Sequence, residues 1–257
     1  MPISITLIGG PTALIEIDGF RLLTDPTFDD AHTAYQLPHV RLEKKIGPAV
    51  KPDAIGPVDA VLLSHDQHSD NLDNSGREFL HKVRRVLTTE AGAKRLGGHV
   101  EGLAPWATAR LEDGDGNSLT ITATPARHGP VGIEPYSGDV VGFALGIDQP
   151  GDLIYITGDT VWYHGTAEVA NRFSPKVVML YTGAAEPRGR FHMTMGSEDA
   201  LEAAHAFPQA KLVAAHNEGW VHFRESQDQL AQTFSTFKLA DRLTLFEKGK
   251  PVVFEAG

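Results

Sequence analysis

The chain of 257 residues contains no cysteine. That excludes disulfides and thiolate ligands, so any metal must be held by nitrogen and oxygen, and thiol usage says nothing about redox compartment. No apolar run approaches the ~20 residues a membrane helix needs, and no basic-then-apolar segment opens the sequence. A chain without a membrane span or leader is therefore expected, with the cytoplasm as its default location. Basic residues are scarce, with 23 Lys and Arg against 33 Asp and Glu and a formal net charge of −10. This balance repels phosphate backbones at long range and argues for a small-molecule substrate, with no nucleic acid partner. No Ser or Cys motif suggests a covalent nucleophile, and no Gly-rich loop meets the strand-to-helix criterion for phosphate binding. What is present is enough for a core: 41% of residues are hydrophobic and 22% charged, close to the globular average.

The stretch that organises the chain is Val61-Leu62-Leu63-Ser64-His65-Asp66-Gln67-His68-Ser69-Asp70-Asn71-Leu72-Asp73. Its apolar start reads as a buried strand that stops in a polar segment carrying imidazoles and carboxylates. Strand ends aim side chains rigidly, and neutral imidazole with carboxylate is a donor set for zinc, manganese or iron(II). Asp73 or Asn71 can cap a following helix, and Ser75 with Glu78 fits a capping box. These residues alone fit a polar turn with hydrated histidines equally well. Three further strand-like runs, however, end in His128, Asp159 and His216.

Around them, Ala13 to Ile17, the Asp18-Gly19 turn and Phe20 to Leu23 form a hairpin. Residues 28–57 show no clean period and read as a long surface loop carrying His32, Tyr35, His39 and the Lys44-Lys45 pair. Residues 75–84 read as a helix and residues 100–123 as meandering antiparallel strands. Near the end of the chain, a helix is expected to place Leu230, Phe234 and Phe237 on one face. There is no composition break or linker, so one domain over residues 1–257 is expected, with its halves as two layers of one sandwich.

With His128, Asp159 and His216 added to the His65 loop, the chain resembles the metallo-β-lactamase superfamily of metal-dependent hydrolases. It looks most like the branch containing ascorbate-6-phosphate lactonase and N-acyl-phosphatidylethanolamine phospholipase. The resemblance covers nearly the whole chain in order. It is most specific in Ser64-His65, in Asp70-Asn71-Leu72-Asp73 and in Thr157-Gly158-Asp159-Thr160. It implies an α/β fold, a four-layer αββα sandwich in a single domain. It also implies a hydrolase in which one or two divalent ions, zinc, manganese or iron, activate water against a small-molecule lactone, ester or phosphodiester.

The family's loop is usually His-x-His-x-Asp-His followed by Leu-Asp. This chain has one residue more between its first two histidines, Asn71 where a histidine is expected, and Gly10 where the family commonly has another. In that register the resemblance implies His65, His68 and His128 around a first ion. Asp159 would bridge to a second ion held by Asp70 and His216. An amide is a weaker donor than imidazole, so Asn71 should loosen the second site or favour a harder ion. Asp70 is the candidate to orient water and carry a proton, and His192 is expected to face the pocket beside it. Arg127 and Arg190, with Arg188, are candidates to grip a carboxylate or phosphate. Trp220 and His222 are candidates to wall the site. Asp25 is a candidate second-layer acceptor that holds an imidazole in one tautomer, with Asn71 in the same layer.

Three rivals stand beside this reading. A nuclease or phosphodiesterase acting on nucleic acid predicts a basic groove, which the net charge does not support. A non-catalytic metal- or ligand-binding descendant is kept in play by Asn71 and Gly10. An iron-based redox protein lacks a flavin domain to serve it. The sequence leaves assembly into a homo-oligomer open. The register makes a direct prediction: His68→Ala strips the first ion, whereas His81→Ala leaves metal content, read by mass spectrometry, unchanged. Equal behaviour of the two variants breaks the register.

Overall fold

The computed structural model describes residues 2–37 and 40–255. His39 and the extreme ends of the expected 1–257 domain lie outside the described residues. Strand β1 (Pro2–Gly9) shows how the sheets are built: Ile3, Ile5 and Leu7 are buried at every second position, the period that puts alternate side chains on one face. Two seven-stranded sheets result. One has the order β16 (Pro251–Glu255), β1, β2 (Thr12–Ile17), β3 (Phe20–Thr24), β6 (Ala60–Leu62), β7 (Val86–Thr89), β8 (Val100–Leu103). The other runs β15 (Leu243–Thr244), β14 (Lys211–Ala215), β13 (Val177–Tyr181), β12 (Ile154–Ile156), β11 (Val141–Gly146), β10 (Ser118–Pro125), β9 (Thr108–Glu112).

Tight turns join antiparallel neighbours, as in β1–β2–β3 and β9–β10–β11. Parallel neighbours need a crossover, and helices supply it. Helices α2 (Asn74–Leu80) and α3 (Glu90–Leu96) connect β6 to β7 and β7 to β8. Helices α5 (His164–Arg172), α6 (Ser197–Ala206) and α7 (Gln227–Thr236) connect β12 through β15 in the same way. Short turns α1 (Pro52–Ile55) and α4 (Glu134–Ser137) complete the set.

The inner faces interlock, with Ile5, Leu7 and Ile15 in one cluster with Phe143, Ile156 and Met179. On one outer face Val178 and Leu180 pack under Val169, Ala200 and Leu230 of the helices. On the other, Val61 and Val86 pack under Phe79, Leu80 and Ile55. The four-layer αββα sandwich expected from the resemblance is what the chain forms. Among the described residues, no helix is long and apolar enough to cross a membrane.

Two buried polar junctions hold the layers at the edge where the polar loops gather. Asp25, fully buried just after β3, accepts the Ser64 amide at 2.7 Å, the Ser64 hydroxyl at 2.9 Å and the Tyr181 hydroxyl at 2.7 Å. Tyr181 ends β13, so this carboxyl joins the two sheets. Burial pushes its pKa up to about 7, although the hydrogen bonds from Tyr181 and Ser64 pull the other way. The second junction is Lys44, only 3% exposed, whose ammonium donates to the Thr27 carbonyl at 2.9 Å and to Asp73 at 3.0 Å.

Lys44 also corrects the reading of residues 28–57 as a surface loop. That segment carries a hairpin, β4 (Ala34–Leu37) with β5 (Val40–Glu43), and Tyr35 and Leu42 pack with Trp220 beneath it. Its strands are too short, and too rich in polar residues on the open face, to give a legible period. Residues 100–123 are not one meander either, because β8 joins β7 in parallel and only β9 and β10 pair as a hairpin. Phe237 lies past the end of α7 and is 59% exposed, unlike buried Leu230 and Phe234. Asp73 caps α2 by accepting the Gly76 amide at 2.8 Å, while the Ser75 hydroxyl turns to Asp29 instead of closing a capping box.

Both junctions are open to test. Lys44→Met leaves Asp73 buried without its cation and is expected to lower the unfolding free energy by about 3 kcal/mol, measured by urea denaturation. Asp25 binds its proton more tightly folded than unfolded. Its stabilising contribution is therefore complete below its ordinary value of 3.8 and is lost as pH rises through about 7. In metal-free protein, the stability of the parent relative to Asp25→Asn should fall across that window. A flat or rising difference contradicts the raised pKa.

Candidate metal centre

Strand β6 delivers the first donors. Beyond its end the Leu63 amide bonds to the Leu87 carbonyl at 2.9 Å, and the Ser64 carbonyl accepts the Val141 amide at 3.1 Å. The chain is thus clamped between β7 of one sheet and β11 of the other before His65 begins. His65 Nε2 lies 2.9 Å from His68 Nδ1, and His128 Nε2 lies 3.1 Å from the same atom. The extra residue in this loop causes no disorder. Asp66 is buried and gripped by Arg95, with Nε 2.9 Å from Oδ2, and Gln67 donates to the Ser137 carbonyl at 3.0 Å. Both side chains turn away, so the two histidines face the same point.

Neighbouring groups set the imidazole tautomers. The Ser64 hydroxyl has one hydrogen, which goes to Asp25, so its oxygen accepts from His65 Nδ1 at 2.9 Å and leaves Nε2 bare. A carbonyl can only accept, so His128 Nδ1 donates to Met193 O at 2.7 Å and its Nε2 is bare too. Burial lowers His65 well below the ordinary imidazole value, and burial together with the His128 ring pushes His68 down to about 4. Three neutral rings therefore converge their lone pairs, the form in which histidine ligates metal.

A second cluster lies alongside, made of Asp70, Asp159 and His216, all buried. Asp159 touches both clusters, 3.6 Å from His128 Nε2 and 3.1 Å from His216 Nδ1. His216 Nε2 lies 3.6 Å from Asp70 Oδ2. Burial alone would raise Asp70, but the His222 hydrogen bond at 2.9 Å and the His216 charge carry it down. Burial is likewise overcome at Asp159 by His216, and at His216, in the opposite sense, by Asp159 and Asp70. Buried charge held this way in a low-dielectric pocket favours a cation.

These donors fit a divalent metal pair. All of them are nitrogen or oxygen, and each cluster converges within 4.8 Å. Neither ring nitrogen of His216 makes a hydrogen bond, and the Asn71 Oδ1 also has none; orphaned buried polar atoms are rare in folded proteins. The Asn71 amide nitrogen donates to Asp159 at 3.2 Å and to Ser64 at 3.4 Å, so this residue orients a carboxylate.

A narrow cleft opens over the donors. Its floor is His68, Asp70, His128 and His222, and its walls include Val40, Leu42, Pro187 and Met193. The remaining residues singled out from the sequence lie as follows. Arg127 stacks on the Tyr163 ring at 4.6 Å, donates to the Gly129 carbonyl and lines a second cleft behind His128. Arg190 is exposed and lines neither cleft. Trp220 is buried under the hairpin, outside the cleft. His192 does not line the cleft: its Nδ1 lies 3.0 Å from Glu198, with Glu186 on its other side.

Gly10 has a physical reason for being small. Its carbonyl accepts the His216 amide at 2.8 Å, and a Cβ there would lie 3.3 Å from the Trp220 ring nitrogen. Trp220 takes the room a side chain would use. Sequence reasoning missed Ser64 as the link to His65, the Met193 carbonyl, and the Val40 and Leu42 walls. Ser64 and the Val40-x-Leu42 alternation carried a signal, whereas a backbone carbonyl carries none.

The arrangement matches known proteins. Residues 20–217 match the family model for the Beta-lactamase superfamily domain. The UPF0173 protein YddR of Bacillus subtilis (strain 168) is 25% identical over 98% of this chain and 100% of its own length. A UPF0173 metal-dependent hydrolase of Pelotomaculum thermopropionicum is 34% identical over 63% of this chain and 68% of its own. Among solved structures, the isothiocyanate hydrolase from Delia radicum gut bacteria superposes with a TM-score of 0.84 at 25% identity, covering 98% of this chain and 99% of that one. Donor set, fold and relatives agree: the chain belongs to the metallo-β-lactamase superfamily, as one of its metal-dependent hydrolases.

Proposed function

We propose that this hydrolase cleaves a compact lactone or ester. The observation that carries the reading is the cleft, whose floor is the donor cluster and whose walls are mostly aliphatic. A narrow slot of this kind admits a small acyl group and excludes a polymer. A nucleic acid would need a broad cationic groove, and this cleft holds one cation, Arg188, in a chain of net charge −10. The similar isothiocyanate hydrolase takes its name from a small molecule with an electrophilic carbon, so isothiocyanates belong on the same substrate panel.

In this reading His65, His68 and His128 hold one ion, and Asp70, Asp159 and His216 hold another. The ions, zinc, manganese or iron(II), supply Lewis acidity that lowers a water pKa to about 7 and polarises the scissile carbonyl. The protein does the rest. Ser64 and Met193 fix the bare nitrogens of His65 and His128 toward the site. Asp70, held ionised and oriented by His222, is the group that accepts a proton and returns it to the leaving oxygen. The aliphatic walls keep bulk water from the reacting carbonyl and strengthen every charge interaction inside.

The test is metal content by mass spectrometry on protein purified without added metal, beside turnover of lactones, esters and isothiocyanates. The parent is expected to carry metal and to hydrolyse a member of the panel. Asp159→Ala, which removes the group touching both clusters, should lose most of both. A parent that takes up no zinc, manganese or iron overturns the reading.

A further inference from the structure

Arg188 is the one cleft-lining residue whose charge the centre does not use. Other arginines of this chain are consumed locally: Arg172 pairs with Glu168 at 2.8 Å and Arg224 with Glu186 at 3.3 Å. Arg127 is spent on the Tyr163 ring and the Gly129 carbonyl. Arg188 is half-buried in the wall of the cleft, and among the described residues no carboxylate pairs with it. Its hydrogen bond is a long one, 3.4 Å from Nη2 to the Tyr136 carbonyl. The guanidinium lies close enough to the floor for its charge to help hold the His68 proton off.

A guanidinium offers five N–H donors in a planar fork and cannot shed its charge. Here it is partly desolvated among aliphatic side chains, in a protein rich in carboxylates that do not reach it. An anionic group meets that fork with two parallel hydrogen bonds. Between the fork and the donor cluster the cleft presents Val40, Leu42 and Pro187, which fit methylene groups and offer no hydrogen bonds.

We propose that Arg188 determines specificity and that the substrate carries a carboxylate, joined to its scissile lactone or ester carbonyl by a short apolar spacer. The inference rests on the hydrolase reading above. It deepens that reading by naming the substrate class, an acidic rather than a neutral ester or lactone.

The test separates the two readings. Protein loaded with zinc, its metal content verified, is titrated calorimetrically with a homologous series of α,ω-dicarboxylates and with their monoamides. The two probes share length and one carboxylate for the metal, and differ only in charge at the far end. At the matching length the dicarboxylate should bind about tenfold more tightly. Arg188→Gln should bring that ratio near unity, and Arg188→Lys, a point charge without the fork, should keep part of it. Equal binding of both probes at every length, a preference that survives Arg188→Gln, or no binding by zinc-loaded protein overturns the Arg188 proposal alone. Failure to take up zinc instead overturns the metal reading beneath it. A parallel series of phosphate monoesters distinguishes a phosphate-bearing substrate, which would win over the dicarboxylates and refute the carboxylate assignment.

Discussion

The carboxyl of Asp25 is shared by elements from both sheets, and the donor geometry follows from how it is shared. It sits just beyond β3, takes the Ser64 amide and hydroxyl from beyond β6, and takes the Tyr181 hydroxyl from β13. Because Ser64 spends its only hydrogen there, its oxygen is free to receive His65 Nδ1–H, and the bare nitrogen of His65 turns inward. One group that touches no candidate ligand thus sets the angle between the sheets and the orientation of the first donor. The left-handed backbone of Asp25, φ 28°, is sustained by that density of partners.

The two clusters are chemically unequal. Three neutral imidazoles form one, and two carboxylates with one imidazole form the other. The first suits a borderline ion such as zinc, and the second leans toward harder ions. Asn71 sharpens the difference, since its amide nitrogen steadies Asp159 where the family commonly has an imidazole donor. Asp159 couples the clusters electrostatically, so occupancy of one changes the field at the other.

How much of this could be read from the sequence depended on what carries each feature. The donors were legible because each follows an apolar strand, as Ile154 to Ile156 leads to Asp159 and Leu212 to Ala215 leads to His216. Layer architecture was legible from the alternation in β1 and from the helical stripe of α6. The hairpin over the cleft was not, because its strands are four residues each and their outward face is polar. Lys44 was read as surface charge, since burial of an ammonium is decided by a partner, Asp73, far away in sequence. At Phe191-His192-Met193 the titratable side chain drew attention, yet the group that touches a donor is the carbonyl of Met193. Main-chain atoms are the same at every residue and leave no mark in a sequence.

The donors span residues 65 to 216 and come from loops that follow β6, β10, β12 and β14. Such a set has high contact order: none of its members is complete until strands distant in the chain have paired. A zinc finger gathers its ligands from neighbouring residues and folds around the ion. This centre has no comparable early nucleus, so the sandwich must close before a metal finds its full complement of ligands. Metal uptake is then a late event governed by entry through the cleft, and the apolar core between the sheets, rather than the ion, carries the chain over its folding barrier.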